Sequence, residues 1–145
     1  MSATTLKSIL LIDDDEISNL FNKIFIRKLD LDVKVDVALN GSKAIDFLKE
    51  RGLNSEQALL EPCLLLLDIR MPIMNGWEFL EAYEQVLNDK AKLNLVIVVL
   101  TTSEDEGDVL KAMKNPHIRE IIKKPLSESK FNKLIKKFFV QEKTC

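Results

Sequence analysis

Four apolar runs in this chain each end at residues able to do chemistry. Ile9-Leu10-Leu11-Ile12 stops at Asp13-Asp14-Asp15, and Leu64-Leu65-Leu66-Leu67 stops at Asp68. The run from Leu95 to Leu100 stops at Thr101-Thr102-Ser103. The run from Ile118 to Ile122, interrupted by Arg119-Glu120, stops at Lys123-Lys124-Pro125. Continuous apolar runs of this length read as strands buried on both faces of a parallel sheet. In such a sheet the carboxyl ends of neighbouring strands share one edge, and ligands of open α/β folds bind there. Acids, a hydroxyl and an ammonium that are far apart in sequence are therefore expected to meet at one place.

The intervening segments carry a helical period. Ile17, Leu20, Phe21, Ile24, Phe25 and Leu29 recur at i, i+3, i+4 spacing after the first strand, with Asp14 or Asp15 available as the cap. Val33, Val35 and Val37 alternate with polar residues, as in a half-exposed edge strand. Asn40-Gly41 is a turn signal, and a helix starts at Ser42 with Ala44, Ile45 and Leu48 inward. Arg51 to Pro62 reads as a loop. A helix runs from Trp77 to about Asn88, with Phe79, Leu80, Tyr83 and Leu87 inward. An acidic-first helix runs from Glu104 to about Lys114, and Asn115-Pro116 breaks it. The last helix, Ser127 to Gln141, puts Phe131, Leu134, Ile135, Phe138 and Phe139 on one stripe. Five β-α alternations predict a doubly wound, five-stranded parallel sheet.

Composition narrows the function classes. The 145 residues suit one domain, over residues 1–145 with a core of about 8–140 and nothing left for an output domain. Hydrophobic residues make up 46% and charged residues 30%, as in a globular protein. A net charge of −2 gives no basic field for nucleic acid. No apolar run reaches the ~18 residues of a membrane span, and Met1 to Lys7 is not a secretory signal. Cys63 and Cys145 give no disulfide framework, so a cytoplasmic location is expected.

The chemistry expected at the shared edge is that of a metal and a phosphoryl group. Two carboxylates about 4 Å apart repel by roughly 4 kcal/mol at an effective dielectric near 20. A divalent cation cancels this and bridges to phosphoryl oxygens. A carboxylate held in line with a phosphoryl donor can form an acyl phosphate.

Ile12-Asp13-Asp14-Asp15, the segment Leu67-Asp68-Ile69-Arg70-Met71-Pro72-Ile73-Met74-Asn75-Gly76, Thr101-Thr102-Ser103 and Lys124-Pro125 occur in that order, each at the end of an expected strand. Together with Ala38-Leu39-Asn40-Gly41-Ser42-Lys43-Ala44, they resemble the receiver domain of two-component response regulators, from about Ser8 to Phe139. The resemblance implies a (βα)5 flavodoxin-like fold with strand order 2-1-3-4-5. It implies that Asp68 accepts the phosphoryl group and that Asp14 and Asp68 bind Mg²⁺ directly. Asp13 would act largely through water, and the Arg70 backbone carbonyl would complete the protein's share. Lys124, before a cis proline, would bind the phosphoryl group, and Thr101 would be the switch hydroxyl. The backbone N–H groups of Ile69 and Thr102 would help cradle it. Arg70 and Ser103 would tune its lifetime.

One position departs from the pattern: many receivers carry an aromatic residue three before the site lysine, and here it is Ile121. The resemblance implies a histidine kinase or histidine phosphotransfer protein as donor, and an output partner or a homodimer through the last two helices and last strand. The basic face of the last helix, Lys130, Lys133, Lys136 and Lys137, reads as a solvated face; the alternative is that it pairs with the acidic helix start at Glu104-Asp105-Glu106-Asp108 and forms part of a switch surface. Such a module is not an enzyme beyond its own phosphorylation and dephosphorylation. Lone His117 is expected exposed, and Trp77 packed or partly exposed. Two other readings are open. One is a receiver fold that binds partners without phosphorylation. The other is a haloacid-dehalogenase-type phosphatase with Asp13 as nucleophile, which leaves Asp68 to Gly76 unexplained.

Overall fold

The computed structural model describes residues 5–51, 62–102 and 106–139. Its elements are β1 (Ser8–Ile12), α1 (Glu16–Lys28), β2 (Lys34–Ala38), α2 (Gly41–Glu50), β3 (Cys63–Asp68) and α3 (Gly76–Val86). There follow α4 (Asp89–Lys92), β4 (Leu95–Thr101), α5 (Glu106–Met113), β5 (Ile118–Lys123) and α6 (Glu128–Phe138). The strands form one parallel sheet in the order β2-β1-β3-β4-β5, the expected doubly wound, flavodoxin-like topology. The loop read between Arg51 and Pro62, together with Ser103, Glu104, Asp105 and Cys145, falls largely outside the described residues.

Alternating side chains of the central strands build two cores. Leu10, Ile12, Leu65, Leu67, Ile97 and Val99 face α2 and α3, where Ala44, Leu48, Phe79 and Tyr83 are buried. Ile9, Leu11, Leu64, Leu66, Val98 and Leu100 face the other side, against Ile26 of α1 and Phe131, Leu134 and Ile135 of α6. A strand buried on both faces needs apolar residues at every position, which is why β1 and β3 read as unbroken runs. The edge strands β2 and β5 are half exposed, so β5 tolerates Arg119 and Glu120 and is not a doubly buried strand.

Helix starts follow local hydrogen bonds. Asp15 caps α1 by accepting from the Ile17 N–H at 3.0 Å, and the Ser18 hydroxyl donates to it at 2.9 Å. Asn40 caps α2, Ser127 caps α6, and Asn75 with Glu78 forms a capping box on α3. α3 is shorter than expected. Its cap, Leu87, has extended backbone, and the chain re-enters a helical turn only at α4.

Only part of the apolar stripe of α1 faces the sheet: Leu29 packs on the core and Ile24 and Phe25 are part-buried. Asn19, Asn22 and Ile26 are buried, whereas Ile17, Leu20 and Phe21 are more than half exposed. Two polar bonds set the helix's rotation: the Asp15 cap, and the Asn19 amide, which donates to the Asp13 carbonyl at 2.9 Å. The stripe is wider than the strip the sheet covers, and its outer flank is left in solvent.

Two further expectations are corrected. His117 is half buried: its ring meets the edge of Tyr83 at 5.3 Å between centroids, and its Nε2 pairs with Glu84. The α6 lysines do not pair with the acidic start of α5 among the described residues. Lys137 bonds Glu120 on β5 at 2.7 Å, and Lys130 donates to the carbonyls of Lys123 and Pro125. No described helix is long and apolar enough to cross a membrane.

Candidate functional site

The four strand ends bring their polar residues together at the carboxyl edge of the sheet. Asp13, Asp68 and Thr101 are buried there, and Asp14 is exposed at the rim. One carboxylate oxygen from each of Asp13, Asp14 and Asp68 lies within 4.8 Å of the others. The Lys124 ammonium reaches in from the far end of the sheet, 3.3 Å from Asp13 Oδ2 and 3.2 Å from Asp68 Oδ1. The Lys124-Pro125 bond is cis, and the Lys124 N–H donates to the Thr101 carbonyl at 2.6 Å, joining the ends of β4 and β5. Lys123 points away and is exposed, as the strand alternation requires.

Asp13 is fixed from several sides. Its Oδ1 accepts from the Asp15 N–H at 2.9 Å, its own N–H donates to the Ala38 carbonyl at 3.0 Å, and its carbonyl holds Asn19. Asn19 is thus part of the site's frame. Its signal in the sequence was an amide lying off the apolar stripe, six residues after Asp13.

The loop after β3 folds back tightly. The Gly76 N–H donates to the Ile69 carbonyl at 2.9 Å, and a Cβ at Gly76 would lie 2.9 Å from the Asp68 carbonyl oxygen. Gly41 is pressed as closely on Met74, to whose carbonyl its N–H donates at 2.8 Å. Ile69, buried, and Thr102, exposed, each follow the last residue of their strand, β3 and β4. The Arg70 side chain leaves the acids and pairs with Asp108 of α5.

The electrostatics favour a cation. Burial, reinforced by repulsion from Asp13, lifts Asp68 to about 6; Lys124 and the Arg70 backbone pull against this and lose. For Lys124 burial acts downward, but the Asp13 and Asp68 carboxylates outweigh it and hold the ammonium above its ordinary value. Three carboxylates face one ammonium, so the cluster carries excess negative charge. Oxygen donors in this number, some exposed, suit a hard divalent ion that keeps several waters. Thr101 Oγ1 is buried and has no hydrogen-bond partner, although it stands beside the acids. Such a group is costly unless a ligand satisfies it.

A family model, the response regulator receiver domain, matches residues 9–136. The chain belongs to this family. Solved structures of receivers share its fold. A two-component response regulator from Cytophaga hutchinsonii is 30% identical, with TM-score 0.76, over 92% of this chain and 97% of that one. A response regulator receiver protein from Dyadobacter fermentans is 26% identical, with TM-score 0.75, over 91% and 97%. Among curated proteins, one named "Probable methanogenesis regulatory protein FilR2", from Methanothrix harundinacea, is 29% identical over 82% of this chain and 72% of its own length. The receiver topology explains why the polar residues gather as they do: Asp68 and Thr101 end β3 and β4, and Asp13 and Lys124 directly follow β1 and β5, all at the carboxyl edge of the sheet.

Proposed function

We propose that this receiver takes a phosphoryl group from a phosphohistidine onto Asp68 and thereby switches a partner-binding surface. The observation that carries the reading is Asp68 itself. It is buried and contacted by Lys124, it stands with Asp13 and Asp14, and an unpartnered Thr101 hydroxyl lies beside them. In the transfer an Asp68 carboxylate oxygen attacks phosphorus as the bond to the donor imidazole breaks, giving an acyl phosphate and a free histidine. Lys124, already placed between Asp13 and Asp68, pairs with the incoming phosphoryl oxygens. The Thr101 hydroxyl finds in them the partner it lacks, and the Ile69 and Thr102 N–H groups complete the cradle. Asp14, Asp68, the Arg70 carbonyl and, through water, Asp13 would hold Mg²⁺. When bound, the ion neutralises the acids and the phosphoryl charge.

The donor is a histidine kinase or histidine phosphotransfer protein, working in the cytoplasm. Exposed apolar side chains beside the site support a protein donor: Ile17, Leu20 and Phe21 on α1, Leu39 after β2, and Ile73 after β3. A groove of about 530 Å³ runs from Asp13 and Lys124 to Phe21 and Phe25. The output surface is that of α5, β5 and α6, where Leu110 and Met113 are exposed, offered to a partner or a second copy.

Incubation with Mg²⁺ and a small acyl phosphate tests the reading by mass spectrometry. A single phosphoryl increment that disappears in Asp68→Asn supports it. No increment despite measurable Mg²⁺ binding would replace it with a phosphorylation-independent binding module.

A further inference from the structure

One carboxylate outside the acid cluster ties together three elements around it. Asp108, in the first turn of α5, is largely buried and accepts two hydrogen bonds. Its Oδ2 takes the Arg70 guanidinium at 2.8 Å, and its Oδ1 takes the Trp77 indole N–H at 3.2 Å. The Lys111 ammonium lies 4.5 Å from the centre of the Trp77 ring, on the same helix as Asp108. Arg70 is two residues past Asp68, and Trp77 begins α3 one residue past Gly76. Arg70 and Trp77 also line, with Asp14, a cavity of about 360 Å³ beside the acids.

We propose that Asp108 is a positioning residue: it holds the Arg70 guanidinium on α5, and a phosphoryl group on Asp68 competes for that guanidinium. The inference rests on Asp68 being the phosphorylated residue. A phosphoryl group carries close to two negative charges where Asp108 carries one, and a guanidinium binds its oxygens through paired N–H donors. Arg70 is more than half exposed, so turning it costs little burial. Asp108 is not exposed, so losing Arg70 leaves a largely buried carboxylate with only the indole N–H of the two bonds, and α5 must adjust to satisfy it. Arrival of the phosphoryl group would thus be felt at α5 through a side chain, and Asp108 would set how readily Arg70 leaves to meet it. The same contact fixes the environment of the chain's single tryptophan.

The test follows Trp77 emission and Asp68 phosphorylation in the same samples of the full chain with Mg²⁺ and a small acyl phosphate. In the wild type the emission should shift in step with the phosphoryl mass increment. In Arg70→Ala the shift per phosphorylated molecule should vanish, because no guanidinium leaves Asp108. Asp108→Asn keeps the shape and a hydrogen-bond acceptor but drops the charge, and should change the first-order loss of the phosphoryl group by about threefold or more. The double variant should decay as Arg70→Ala alone does, and Asp108→Glu should restore wild-type decay. Circular dichroism establishes that each variant is folded. A full emission shift in Arg70→Ala, or additive effects of the two substitutions on decay, would overturn the proposal and leave phosphorylation of Asp68 standing. Absence of the mass increment in the wild type would overturn both.

Discussion

The Lys124 ammonium stands 3.2 Å from Asp68 Oδ1, and Asp68 nevertheless keeps its proton up to about 6. One cation does not offset both the burial of Asp68 and the charge of Asp13. In the metal-free protein the acid cluster is therefore a local cost to folding, and a bound cation relieves it.

This predicts an unusual pH dependence. The folded value of Asp68, about 6, lies above its ordinary 3.8, so the folded state binds this proton more tightly. Stability from this group is fully present below about 4 and is lost as pH rises through 6. Asp15 and Glu84 act oppositely, but their values are lowered, chiefly by hydrogen bonds from Ser18 and Lys92, so their effect lies at more acid pH. Lys124 acts only in the alkaline range. Between pH 5 and 7 in chelator, the Asp68 contribution should cost about 1 kcal/mol, or about 2–4 °C in Tm. Asp68→Asn should remove that slope and be the more stable protein at pH 7. Equal slopes in the two proteins, measured by urea unfolding, would refute the assignment.

Thr101 should separate stability from function. Its buried hydroxyl has no partner in the free protein, so Thr101→Val trades an unsatisfied oxygen for a methyl of the same shape. The variant should unfold at equal or higher urea concentration, gaining up to about 1 kcal/mol. Its phosphorylation by a small donor should slow, because the phosphoryl oxygens lose a ready donor. A clear loss of stability would show that the hydroxyl already has a role before any ligand arrives.

The fold was legible because burial dictates residue type most strictly at β1 and β3, where both faces are covered. The acid cluster and Thr101 were legible because each directly follows an apolar run, and Lys124 because it precedes Pro125 at the end of β5. Legibility failed where polar contacts between distant elements decide the outcome. Nothing periodic announces that Asn19 will turn α1 inward on an amide and leave Ile17, Leu20 and Phe21 outside. Charge pattern pointed Asp108 at the α6 lysines, whereas geometry gives it to Arg70 and Trp77. His117, read as an exposed loop residue, is held by Glu84 and Tyr83 across a gap in sequence of more than thirty residues.

Gly76 should resist even alanine. An added Cβ would sit 2.7 Å from Ile69 Cδ1 and 2.9 Å from both Ile69 Cα and the Asp68 carbonyl oxygen. Ile69 Cδ1 could rotate away, but the backbone atoms cannot move without shifting the loop that sets Asp68. Gly76→Ala should cost about 1–3 kcal/mol by overpacking and also weaken Mg²⁺ binding. Chemical unfolding and Mg²⁺ titration measure the two effects. If stability fell while Mg²⁺ affinity stayed at the wild-type value, the loop would be shown to relax without disturbing the acids.

The exposed flank of α1 should matter to a protein donor and not to a small one. Leu20 and Phe21 are 57% and 52% exposed, so replacing both with Ser should change stability by only about 0.5 kcal/mol each. A small acyl phosphate needs only the pocket around Asp68 and should phosphorylate the variant at the wild-type rate. If a phosphohistidine protein docks over this flank, apolar anchors of this kind can each contribute more than about 1 kcal/mol, so transfer from it should fall about tenfold. Stopped-flow transfer from a phosphorylated donor protein, beside mass-detected labelling by the small donor, separates the cases. Equal slowing of both would mean that the flank supports the site's geometry. No slowing of either would move the donor's docking surface off α1 and leave its exposed apolar residues without a partner.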